Sequence, residues 1–198
     1  MVAIAGDRAT QASVERVEGL AKALAEYPAV ALKQVFYAEW SQANAFQITQ
    51  GFLRRYPEIG AIWCANDPIA LGAMEGAEAA ARQPGQDIFV GGLNWDAAGL
   101  EHTKAGRWVT TVGGHFMTGG WALVMLYDYH HGRDFADEGL QLQRQIFGVL
   151  HTGNIDQFLT HFGDRNWGKI DFTQFSKVLN PAIKKYDFSL DAILKQTF

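Results

Sequence analysis

The chain is poor in cysteine, proline and charge, and each shortage excludes something. One residue of 198 is cysteine, Cys64, which rules out an internal disulfide and a zinc site built from cysteines. Lysine and arginine number 17 against 21 aspartates and glutamates, a net charge of −4. With the basic residues scattered, neither a nucleic-acid footprint nor a polybasic membrane patch is available, so the expected partner is small and polar. Long hydrophobic runs are missing too. Trp121-Ala-Leu-Val-Met-Leu-Tyr127 falls far short of the roughly 20 apolar residues that span a bilayer as a helix. There is no Gly-x-Ser-x-Gly elbow, no His-Glu-x-x-His and no phosphate-cradling glycine loop with Lys-Ser/Thr. Without a nucleophile–base pair the chain is not expected to be an enzyme, and no cofactor is implied. His130, His131, His151 and His161 lie near Asp128 and Asp134 but fit no ligand spacing, and Gly163–Phe172 lacks the carboxylates of a calcium loop, so no metal is expected. The opening Val2-Ala-Ile-Ala5 runs into Gly6-Asp7 without a signal peptide's basic and apolar regions.

What is present is a core-forming sequence, 48% hydrophobic, organised around Glu58–Gly72. That stretch is an apolar run ending in Asn66-Asp67-Pro68, followed by small residues at helical spacing. It reads as a buried strand that stops at a polar tip and turns into a helix, with Asp67 as N-cap, Pro68 at the first helical position and Asn66 presented at the strand's carboxyl end. The same strand-then-helix pattern recurs. Val2–Ala5 leads to Gln11–Tyr27, with Val14, Val17, Leu20, Ala21 and Leu24 at helical spacing. Val30–Tyr37 leads through Ser41, a possible cap, to a helix ending at Tyr56-Pro57. Asp87–Leu93 leads to Ala97–Ala105, and Trp108–Val112 breaks at Gly113-Gly114. Repeated βα units predict an α/β fold with a doubly wound parallel sheet. Beyond Gly114 the pattern changes to one long helix, Phe116–His131, then a loosely alternating strand, Leu140–Leu150, and a Phe-rich tail of short helices.

In an open parallel sheet, ligands bind outside the carboxyl ends of the strands. Just after successive strands stand Arg16, Trp40, Asn66, Asn94 with Trp95 and Asp96, and Gly114 with His115. Planar hydrogen-bonding groups interleaved with indoles are the equipment for a sugar or small polyol. Taken singly, Trp40 and Trp95 read more often as packing than as ligand platforms, and Asn66 reads equally as a loop fastener.

Four segments together resemble, in order and spacing, the second lobe of type I periplasmic sugar-binding proteins. They are Gly6-x(9)-Arg16-x-x-Gly19-Leu20, Tyr56-Pro57-x-Ile59-x-Ala61-Ile62-Trp63-Cys64-Ala65-Asn66-Asp67-x-x-Ala70-Leu71-Gly72-Ala73, Val90-Gly91-Gly92-Leu93-Asn94 and Ala105-Gly106-Arg107-Trp108-x-x-Thr111-Val112. The resemblance covers about residues 2–148. It implies ligand-binding roles for Arg16 and Asn66, a sugar-packing role for Trp40, a position usually held by aspartate for Asn94, and a substitute hinge contact for His115. It also implies a periplasmic, non-enzymatic receptor that traps sugar between two lobes and is then recognised by a membrane permease of the ABC-transporter type. A sensory receptor reporting to a membrane kinase or cyclase, and the effector domain of a repressor, share this lobe. The tail after Leu150 is similar to that of longer members, including quorum-signal receptors.

On this resemblance residues 1–114 form the C-terminal lobe without its first βα unit, residues 115–139 belong with an N-terminal lobe upstream, residues 140–150 return as a strand, and residues 151–198 are a helical extension. A signal peptide is expected upstream of residue 1. A truncated lobe of this kind is expected to bind sugar weakly or undetectably. With Phe116, Trp121, Leu123 and Met125 deprived of their partner sheet, it is also expected to be a dimer, an exchanged-element oligomer or only marginally stable.

Overall fold

The computed structural model describes residues 1–139 and 144–196. Two compact units emerge: residues 1–112 with 149–155, and residues 113–148 with 156–198.

In the first unit, β1 (Val2–Ala5) is completely buried, and α1 (Gln11–Glu26), β2 (Val35–Tyr37), α2 (Gln42–Arg55), β3 (Ala61–Cys64), α3 (Asp67–Ala79), β4 (Phe89–Leu93), α4 (Ala97–Lys104) and β5 (Thr110–Gly113) follow in alternation. Strand order is β2-β1-β3-β4-β5-β6, the last being β6 (Gly148–Leu150). The pairs β1–β2, β1–β3, β3–β4 and β4–β5 are all parallel. The expected doubly wound sheet is therefore present, and its order reverses between β1 and β3, where such sheets leave a ligand crevice. Burial of Ile4, Ile62 and Val90 on the strands against Phe52, Ile69, Met74 and Trp108 supplies the core. Helices α2 and α3 meet closely through glycine: a Cβ on Gly72 would stand 2.1 Å from the Gln42 carbonyl oxygen, and one on Gly76 2.7 Å from that of Phe46.

Three expectations are corrected. The cap of α3 is Asn66, whose side chain accepts the Ile69 N–H at 2.9 Å, with Asp67 inside the first turn. An amide at Ncap satisfies an orphan N–H as well as a carboxylate does, which frees Asp67 to point elsewhere. The strand expected over Val30–Tyr37 is reduced to Val35–Tyr37, because the segment before it bonds Met1 instead: Lys33 N–H donates to the Met1 carbonyl and the Met1 amino group to that of Ala31. The strand expected over Leu140–Leu150 is confined to Gly148–Leu150, and residues 140–143 lie outside the described residues.

The second unit holds α5 (Thr118–His130), preceded by a 3-10 turn at His115–Met117, together with most of α6 (Ile155–Phe162) and α7 (Leu190–Leu194). Trp121 does not lack a partner. Phe172, Phe175 and Phe188 surround its ring at centroid distances of 4.9, 4.9 and 4.8 Å. The tail is also fastened by Asp128, fully buried on α5. Its carboxylate accepts from the Ser176 hydroxyl, the Lys177 N–H at 2.6 Å and the Tyr186 hydroxyl at 2.8 Å. Leu123 and Leu126 do remain exposed, at 68% and 62%, along an apolar groove of about 620 Å³.

Candidate functional site

The candidate site of the first unit begins where β1 gives way to a tight loop. Asp7 accepts the N–H groups of Ala9 and Thr10 at 2.7 and 2.6 Å, the Thr10 hydroxyl at 2.9 Å and the indole N–H of Trp40 at 2.6 Å. The two backbone donors, ahead of the side-chain ones, hold its carboxyl down to about 2. Gly6 makes room for the ring: a Cβ there would come within 2.2 Å of Trp40. Trp40 itself follows Glu39 with both residues at positive φ, 51° and 58°. The Asp7 bond and the glycine floor together fix an indole in a conformation that a free loop would seldom hold.

Arg16, in the second turn of α1, reaches across to β3 and donates to the Ala65 carbonyl at 2.7 Å, with its guanidinium carbon 5.4 Å from the Trp40 ring centroid. It is half-buried, and burial lowers its pKa. Just beyond β3 comes Asn66, 8% exposed, with Oδ1 committed to capping α3. Its Nδ2 donates to no group among the described residues and remains the donor a ligand could use.

The loop after β4 carries Asn94 and Trp95 at φ +144° and +62°. The Asn94 N–H donates to the Val112 carbonyl at 2.7 Å. Trp95 turns inward, 2% exposed, with its indole N–H on the Thr111 carbonyl at 3.2 Å. Asp96 precedes α4, and its backbone N–H donates to Asp67 at 2.8 Å. The structure thus brings Arg16, Trp40 and the Ala65–Asn66 corner together and sets Asn94 at the end of the next strand. It uses Trp95 for packing and assigns His115 to the other unit, where its ring stacks on Phe147 at 5.3 Å. Four of the six non-glycine residues with positive φ among those described, Glu39, Trp40, Asn94 and Trp95, stand at this one edge. Strain of that kind concentrates at functional sites.

Sequence reasoning missed the role of Gly6 beneath Trp40, the role of Asp7 and the inward role of Asp67. A legible signal existed for the first two: a glycine and an aspartate just after a buried strand, with a threonine three residues beyond the aspartate, mark a side chain that caps its own loop. Cys64 takes no part. It is buried beneath the edge, and burial, helped by the Asp67 charge, pushes its thiol up and keeps it protonated.

A family model described as periplasmic binding protein domain matches residues 1–134. A periplasmic sugar-binding protein from Pseudomonas fluorescens has a similar structure, with a TM-score of 0.86 and 36% identity over 98% of this chain and 59% of that one. A solute-binding protein from Actinobacillus succinogenes with bound D-allose shares the fold, with a TM-score of 0.66 and 23% identity over 78% of this chain and 53% of that one. The ribose import binding protein of Salmonella typhimurium is 26% identical over 112 residues, 57% of this chain and 36% of that protein. The alignment thus spans about a third of the curated relative and somewhat over half of each solved structure.

Proposed function

Because the chain belongs to the periplasmic binding protein domain family, we propose that it is part of a periplasmic solute receptor taking a monosaccharide or similar polyol at the carboxyl edge of its parallel sheet. Arg16, Asn66 and Asn94 are the proposed hydrogen-bonding groups and Trp40 the stacking surface. Trp95 and Asp96 support the loop that presents Asn94, and His115 is a further candidate. The observation that carries this reading is the convergence of a clamped indole, a half-buried guanidinium and a capping carboxamide at the point where strand order reverses. That is where such sheets bind ligands, and a guanidinium and carboxamide can meet adjacent hydroxyls in pairs. A sugar, in preference to another solute, is supported by the relatives from P. fluorescens and S. typhimurium.

The same reading makes the complete receptor deliver its ligand to a membrane permease of the ABC-transporter type. Self-association belongs to it as well and is checked by sedimentation equilibrium. The binding role is tested by calorimetry with D-ribose and a panel of hexoses and polyols on the complete receptor. Arg16→Ala is expected to weaken binding roughly 5- to 150-fold, the equivalent of leaving ligand hydroxyls unpaired at about 1–3 kcal/mol. Unchanged affinity in that variant would remove Arg16 from the site.

A further inference from the structure

One buried acid beneath this edge is surrounded by more structure than a helix start needs. Asp67 is 1% exposed; its Oδ1 accepts the Thr111 hydroxyl at 2.9 Å and its Oδ2 the Asp96 N–H at 2.8 Å. Glycines from two other elements leave the space it occupies. A Cβ on Gly92 of β4 would lie 2.2 Å from Oδ1, and one on Gly99 of α4 would lie 2.4 Å from Oδ2. The N–H it holds belongs to the residue directly after Asn94 and Trp95, both at positive φ. A consecutive pair of that kind persists only when its surroundings impose it. Here the restraints include the Asn94 N–H on Val112 at one end, the buried Trp95 indole N–H on the Thr111 carbonyl, and the Asp96 N–H on Asp67 at the other end.

We propose that Asp67 is a positioning residue for the ligand edge: its carboxylate holds the Asn94–Asp96 loop in the conformation that presents the Asn94 carboxamide, and its protonation loosens that presentation. The link to ligand rests on the function proposed above, whereas the restraint on the loop rests on the hydrogen bonds alone. Burial pushes the Asp67 carboxyl up to about 6, against the donors from Asp96 and Thr111 and with the Asp96 charge adding to the rise. Facing it are Asp96 from the loop, Cys64 at the end of β3 and the neutral Thr111 from β5. His102 on α4 makes no bond to Asp67; burial lowers its pKa from the ordinary histidine value, and His102→Gln serves as the control for it. With the folded-state pKa raised, the contribution of Asp67 to stability is fully present below the ordinary carboxylate range and is lost as pH rises through about 6. Keeping the group ionised at neutral pH costs stability, and an asparagine of the same shape would avoid that cost. The carboxylate is therefore accounted for by the acceptor strength it brings to the loop.

The test is a pH titration of the full chain, from about 7.5 to 5, followed by backbone and side-chain amide NMR. In the wild type and in His102→Gln, the Asn94 and Trp95 amides are expected to shift with a midpoint near 6; in Asp67→Asn they are expected to stay flat. Thr111→Val removes one donor to the ionised form and is expected to move the midpoint upward, which keeps the proposal testable if Asp67→Asn does not fold. Persistence of the transition in Asp67→Asn, or wild-type amides that stay still while the Asp67 carboxyl carbon titrates, would overturn it. With D-ribose as probe, wild-type affinity is expected to fall about fivefold over the same range and that of Asp67→Asn to remain constant. Titrating amides with pH-independent ribose affinity would overturn the link to ligand. Titrating amides with no ribose binding by the complete receptor would uphold the loop restraint and count against the sugar reading.

Discussion

The cap observed at Asn66 and the ligand contact proposed for it can be separated, because they use different side-chain atoms. Oδ1 caps α3 through the Ile69 N–H, and Nδ2 is the donor proposed for ligand. Asn66→Ala is expected to lose both functions, with a loss of stability of about 1 kcal/mol and weakened binding. Asn66→Ser keeps an N-cap oxygen and loses the amide donor, so its thermal midpoint should stay close to wild type while its affinity falls as in the alanine variant. If serine restores affinity as well, Asn66 acts only through the helix. Asp7 gives a separate residue-scale expectation, opposite in sign to that of Asp67. Its folded carboxyl lies at about 2, held by the Thr10 and Ala9 N–H groups. The stability it contributes is therefore present above the ordinary carboxylate range and is lost as pH falls through that range towards 2. Thermal melts of Asp7→Asn against wild type should converge at the acid end and diverge above about pH 4. Trp40 fluorescence should also report the loss of the indole's partner.

The contact between α2 and α3 sets where Asn66 stands, and small residues make it possible. Gly72→Ala raises helix propensity by about 1 kcal/mol, yet its new Cβ would meet the Gln42 carbonyl oxygen at 2.1 Å. Backbone cannot yield as a flexible side chain does, so overpacking of roughly 1–3 kcal/mol is expected to win. Chemical denaturation should show a net loss of stability; a gain would mean that the helices separate freely. The alternation of apolar runs with turn residues made the βα order legible, because period and punctuation are local properties of the sequence. The Asn-Asp-x-x-Ala-Leu-Gly segment likewise located α3 and the polar tip before it. Which of Asn66 and Asp67 caps the helix was not legible, since both suit the position and the choice turns on Gly92, Gly99 and Thr111, which are distant in sequence. The inward turn of Trp95 depends on the Thr111 carbonyl in the same way. The cover over Trp121 comes from three phenylalanines more than 50 residues later, each in a short stretch whose periodicity does not reveal its partner.

At the scale of the whole molecule, residues 1–134 match the family model and the unit that includes α5 and the tail is held by Asp128 and the rings around Trp121. The proposed ligand groups, His115 apart, all belong to the first unit. Contacts from one face only, open to water, are each worth little net. The chain alone is therefore expected to bind a sugar weakly, and the informative measurement is one that locates weak binding by residue. The central claim is that the carboxyl edge of the sheet is a polyol site. Amide and indole NMR spectra of the isotope-labelled chain, recorded with increasing D-ribose and with myo-inositol in parallel, test it most directly. Concentration-dependent shifts confined to Arg16, the Trp40 indole, Asn66 and Asn94, and lost together in Arg16→Ala, are the expected result. Spectra that leave these four unmoved at millimolar to molar polyol, or that move residues elsewhere on the chain, would contradict it.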